Sequence, residues 1–145
     1  MKLVLSIITI LVLSSCSTPA KVSIYNPKPT NPKFVNEDFK RLLYSAKKYK
    51  PVSIEMHNSF VNIIYLTGVG INSVSIPFAE IEKIEILEKK KNYIVRVKDK
   101  KERKLFEYFA LDQEKAEEMA DVLLTLSKLN GDRENTKEEQ NQKPI

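Results

Sequence analysis

Two hydrophobic periods divide the chain. Phe39, Leu42, Leu43, Ala46 and Tyr49 recur at helical spacing, behind Asn36, Glu37 and Asp38 and ahead of Lys47, Lys48 and Lys50. Asn36 suits an N-cap, the acids and lysines suit opposite ends of the helix dipole, and Pro51 stops the run, so this stretch is read as one amphipathic helix. Its stripe carries two aromatic rings and is read as a packing face. Beyond Pro51 the period changes to two. Val52, Ile54 and Met56 alternate with Ser53, Glu55 and His57, and Tyr93, Val95 and Val97 alternate with Ile94, Arg96 and Lys98. Strands are predicted at residues 52–57, 59–66, 71–77, 82–88, 92–98 and 103–110, an antiparallel meander with one buried face.

The helical period then returns. Asp112 is placed to cap a helix whose apolar face holds Ala116, Met119, Ala120, Val122, Leu123, Leu126 and Leu129, with Gly131 as its stop. The fold expected is α+β: a meander sheet or partly open barrel of about six strands, with an N-terminal helix and a C-terminal capping helix. Residues 34–131 form that domain, and residues 132–145, polar and charged until Ile145, are expected to be a disordered tail.

Ahead of the domain, Met1 and Lys2 precede eleven consecutive mainly apolar residues, 3–13. A membrane span needs about 20 residues for a hydrocarbon core of about 30 Å, so the segment is too short to cross and fits a secretory leader over residues 1–15. Ser14 and Ser15 lead into Cys16, the one cysteine of the chain. Residues 16–33 then hold four of the seven prolines, Pro19, Pro27, Pro29 and Pro32. They read as a semi-extended tether reaching up to about 50 Å, unless Lys21-Val22-Ser23-Ile24-Tyr25 docks on the sheet as a short strand.

Leu13-Ser14-Ser15-Cys16 resembles the lipobox of bacterial lipoprotein signal peptides. The resemblance implies a diacylglyceryl thioether on Cys16, cleavage before it and acylation of the new amine; Ser17 after the Cys implies the outer membrane, facing the periplasm, where the envelope has two membranes. Two or three chains anchor stably, each buried methylene contributing about 0.8 kcal/mol. A second resemblance covers residues 51–130. Ile76-Pro77-Phe78-Ala79-Glu80-Ile81-Glu82-Lys83-Ile84-Glu85-Ile86 and the helix from Asp112 to Leu129 resemble the strand, turn, strand and closing helix of bacterial pleckstrin-homology-like domains. Another antiparallel sheet with helices packed on one face is the alternative.

Composition narrows the chemistry. One Cys and one His exclude an internal disulfide and a conventional zinc or iron cluster, and no metal or cofactor is expected. The net charge is +5, or +4 once Lys2 is removed, and with no recognition motif or aromatic platform a nucleic-acid partner is not expected. His57, the single imidazole, is a remote candidate for the base of a hydrolase; a hydrogen-bonding or solvent-facing role fits its place at a strand end better. Gly68-Val69-Gly70 lacks the following helix that a phosphate loop requires and is read as a hairpin turn. Glu80, Glu82, Glu85 and Glu88 alternate with or adjoin lysines and read as a charge-balanced strand face.

The sharpest local feature is basic. Lys89, Lys90, Lys91, Arg96, Lys98, Lys100, Lys101, Arg103 and Lys104 face only Asp99 and Glu102 in the same stretch, a net of +7. With two lysine-rich turns about 20 Å apart and outward cations between them, one stripe is expected. It suits an anionic lipid, a phosphorylated glycolipid or an acidic envelope protein, or simply solubility and edge protection by lysine. These features together predict a lipid-anchored, non-enzymatic binding module, or else an accessory or pilot lipoprotein of a larger assembly.

Overall fold

The computed structural model describes residues 19–141. The leader 1–15 and Cys16 lie outside the described residues. Chain order is β1 (Lys21–Val22), α1 (Val35–Tyr44), β2 (Pro51–Met56), β3 (Phe60–Thr67), β4 (Gly70–Pro77), a 3-10 turn at Phe78–Glu80, β5 (Lys83–Lys89), β6 (Asn92–Lys98), β7 (Lys104–Ala110) and α2 (Gln113–Asn141).

The α+β class follows from the pattern, and the six strands expected from alternation fall within one residue of β2 to β7. Their arrangement differs from a single meander. Seven strands form two antiparallel sheets, β2-β3-β4 and β1-β5-β6-β7, which do not close into a barrel. The break lies just after Pro77, which stands opposite Phe60 with its N-substituted side turned away from β3, an edge position where proline is tolerated. Phe78 donates its N–H to the Ser59 carbonyl at 2.9 Å and sinks its ring into the core, and the chain emerges past buried Ile81 into the second sheet.

Val61, Ile63 and Tyr65 of β3 meet Val95 and Val97 of β6 and Phe106 and Tyr108 of β7 in one core, which α1 and α2 cover with Phe39, Leu42, Met119 and Leu123. α1 begins one residue before the predicted cap, because Val35 opens the buried stripe, and Phe34 stands at its N-cap without a side-chain hydrogen bond. It ends at Tyr44 rather than running on to Tyr49. Lys47 N–H donates to the Phe109 carbonyl at 2.8 Å, which diverts the chain to β7, and Tyr49 is left exposed with φ 56°.

α2 starts as predicted, Asp112 Oδ1 accepting the Lys115 N–H at 2.8 Å. It passes through Gly131 to Asn141, so the expected stop at Gly131 is corrected. Glycine inside a helix costs about 1 kcal/mol but ends it only where a left-handed residue is adopted.

Of the two readings of residues 21–25, the docked strand is the one observed. Lys21 and Val22 pair with Glu88 and Leu87 of β5, and residues 23–30 then lie along α2. There the Tyr25 hydroxyl donates to Asp121 Oδ1 at 2.8 Å, Lys28 N–H donates to the same oxygen at 2.7 Å, and Thr30 N–H donates to Thr125 Oγ1 at 2.8 Å. Asp121 and Thr125 stand one turn apart on α2 and offer acceptors in line with a chain the prolines hold extended. Burial first, and Asp121 second, push the Tyr25 hydroxyl up to about 12.

Candidate functional site

The antiparallel register decides what the basic stretch is. It sets Glu85 beside Arg96 and Arg96 beside Glu107 across β5, β6 and β7. Arg96 donates from Nε to Glu107 Oε1 at 2.8 Å, with Nη2 at 2.7 Å from the same oxygen, and Lys104 Nζ lies 3.3 Å from Glu107 Oε2. Lys98 Nζ bridges Glu85 at 3.1 Å and Glu102 at 3.0 Å, while Lys83 reaches Glu85 at 2.9 Å. Hydrogen bonds from Lys83 and then Lys98 hold the Glu85 carboxyl below the usual range against the opposing effect of burial, and Lys98 is raised in turn by Glu102 and Glu85. Arg103 Nη2 lies 2.7 Å from Asp99 Oδ2. The continuous basic stripe is therefore corrected: Arg96, Lys98, Arg103 and Lys104 are ion-paired, and two separate ends remain.

At one end stand Lys100 and Lys101, in a shallow depression shared with Glu80 and Asp99. At the other, Lys89 and Lys90 of the β5–β6 turn meet Lys47 and Lys48 of the loop after α1 around a depression of about 220 Å³. Its lining is completed by Asn92, Tyr93, Ile94, Phe109 and Ala110, with no carboxylate among the described residues. The site is held by its own hydrogen bonds. Lys47 Nζ donates to Asn92 Oδ1 at 2.6 Å, and Asn92 Nδ2 donates to the carbonyls of Lys89 and Lys90, each at 3.3 Å. Lys48 Nζ lies 5.7 Å from the Phe109 ring centroid. Lys90 and Lys91 have φ of 49° and 62°, left-handed positions where a hairpin ordinarily takes Asn-Gly. The sequence reading missed Lys47 and Lys48 as site residues because it spent them on the helix dipole; only the divergence of the chain after Tyr44 brings them to the turn.

A second feature lies between the sheets. A cleft of about 390 Å³ is floored by Tyr65, Val74, Leu105, Phe106 and Phe109, with Tyr49, Asn72, Lys104 and Glu107 at its rim. Burial pushes the Tyr65 hydroxyl up to about 12. Because Phe78 N–H bonds Ser59 and Val61 stands opposite Ile76, the main chain of Ile71, Ser73 and Ser75 points away from β3, leaving β4 an open edge. The Phe109 carbonyl takes Lys47 in the same way, so the Glu107 main chain is directed outward from β6. Leu66, Val69 and Ile71 at the β3–β4 tip are 68%, 97% and 73% exposed. Gly68 and Val69 form that turn, and Gly70 adopts φ 138°.

His57 is exposed, and its ring stacks on Phe60 at 4.3 Å with an interplanar angle of 17°. Among the described residues no hydrogen bond or ion pair joins its imidazole to an acid or a hydroxyl. The four glutamates do not converge: Glu85 is bound to lysines, Glu80 sits in the 3-10 turn, Glu82 is exposed just after it, and Glu88 faces Lys21 and Tyr93. Among the described residues no group of three acidic, His or Cys side chains is arranged to hold a metal, and no helix is long and apolar enough to cross a membrane. No protein-family model, curated protein or solved structure matches the chain.

Proposed function

We propose that the chain is an envelope lipoprotein, anchored through acyl groups on Cys16, whose domain is a non-enzymatic binding module for an extended segment of another envelope protein. The residues Leu13-Ser14-Ser15-Cys16 support the anchor, and the likeness to pleckstrin-homology-like domains suits a binding role. The observation that carries the binding reading is the apolar cleft beside the open edge of β4. An added strand gains main-chain hydrogen bonds from Ile71, Ser73 and Ser75 and sets alternate side chains against Val74 and the aromatic floor. The outer membrane, facing the periplasm, is the address that the residue after Cys16 favours in a two-membrane envelope.

A photo-crosslinking side chain at Asn72, activated in native membranes, tests this. One envelope protein is expected as the adduct. Ser73→Pro removes an edge N–H that has no partner in the sheet, so the fold persists by thermal unfolding while the adduct is lost. Adducts indifferent to Ser73→Pro would remove strand addition. Cys16→Ala is expected to release the protein from the membrane fraction, and retention there would remove the anchor.

A further inference from the structure

The position of β1 limits how far the domain can stand from its anchor. Lys21 pairs with Glu88, beside the Lys89, Lys90 and Lys91 turn, and residues 17–20 are all that separate it from Cys16. Five residue steps span at most about 18 Å. That is shorter than the roughly 20 Å length of a seven-residue strand such as β6, which separates this turn from Lys100 and Lys101. An acylated Cys16 therefore brings the bilayer to one end of the domain, the end where Lys47, Lys48, Lys89 and Lys90 surround a depression without carboxylates among the described residues.

We propose that Lys47 and Lys48, with the turn of Lys89, Lys90 and Lys91, form a docking face for anionic phospholipid headgroups of the same bilayer that holds Cys16, so that the domain sits end-on. The inference rests on the reading of Cys16 as the acylation site. Three observations carry it. The linker keeps this end within about 18 Å of the surface, the lysines there have no ion-pair partner among the described residues while those along β6 are neutralised, and Lys90 and Lys91 occupy left-handed positions in which lysine carries backbone strain. The Lys47–Asn92 hydrogen bond ties loop and turn into one rigid face. End-on docking leaves the β4 edge lateral to the membrane contact and open to a protein.

The test uses the full acylated protein in vesicles, labelled with a water-soluble amine reagent and read lysine by lysine by mass spectrometry, which also reports the acyl groups on Cys16. On phosphatidylglycerol vesicles, Lys47, Lys89, Lys90 and Lys91 are expected to react about five-fold more slowly than Lys100 and Lys101, and on phosphatidylcholine vesicles at the same rate. Equal rates on phosphatidylglycerol with Cys16 acylated would overturn the docking face and leave the anchor standing. Equal slowing on both lipids would overturn its dependence on charge. Slowing by inorganic phosphate without vesicles would assign the site to a free anion instead, and slowing in native membranes but not in phosphatidylglycerol vesicles would assign it to a protein. Unmodified Cys16 would overturn both readings.

Discussion

Asp99 shows how one side chain can build a connection. Buried between β6 and β7, it accepts the Lys101 and Arg103 N–H groups on Oδ1, at 2.8 and 2.9 Å, and Arg103 Nε on Oδ2 at 2.7 Å. These bonds allow Glu102 to hold φ 59° without glycine. Burial works to raise the Asp99 carboxyl, but the hydrogen bonds from Arg103 and Lys101 and the Arg103 charge outweigh it, leaving the carboxyl below its ordinary value. A carboxyl that titrates lower in the folded state contributes stability above its unfolded value, about 3.9 for Asp, and the contribution is lost as pH falls through the folded value. Asp99→Asn is therefore expected to lower the thermal midpoint at neutral pH, with the gap to the natural protein closing in the acid range below about 4. Thermal unfolding followed by circular dichroism across that range checks it; a gap independent of pH would mean that Asp99 acts through shape and not charge.

The β5–β6 hairpin carries the conflict between stability and use at the level of an element. Its turn places Lys90 and Lys91 where Asn-Gly is the relaxed choice. Replacing both, Lys90→Asn with Lys91→Gly, is expected to stabilise the domain by about 1–2 kcal/mol in urea unfolding while weakening association with anionic vesicles. A loss of stability would show that the lysines make compensating contacts. Strand existence was legible in the sequence because β-branched and aromatic residues alternate cleanly, as in Tyr93, Val95 and Val97. Their assembly was less so: the Pro77-Phe78 step marks an interruption, but that the chain passes there into a second sheet depends on the burial of Phe78 in the core. The candidate site was half legible for the same reason. The Lys89, Lys90 and Lys91 run is visible, but neutralisation of Arg96 and Lys98 depends on a cross-strand register with Glu107 and Glu85 that no local pattern encodes.

At the scale of the whole molecule, the N-terminal segment does two jobs that its proline content conceals. Residues 21–30 bind β5 and α2, so under the proposed anchoring through Cys16 only residues 17–20 would remain as linker, and the segment would draw the domain toward the lipid. Proximity of this kind raises the effective concentration of the surface seen by Lys89, Lys90 and Lys91 without any new contact. A weak electrostatic contact of a few lysines is screened over about 8 Å at physiological ionic strength, so it persists there only if the linker keeps the partners together. Inserting a Gly-Ser segment of about 20 residues between Ala20 and Lys21, with a mean reach near 25 Å, separates the two effects. With the natural linker, slow labelling of the turn lysines on phosphatidylglycerol vesicles is expected at both low and physiological salt; with the insertion it should survive at low salt and vanish at physiological salt. If the insertion leaves the salt response unchanged, the face binds lipid strongly by itself and the short linker has no part in orienting the domain.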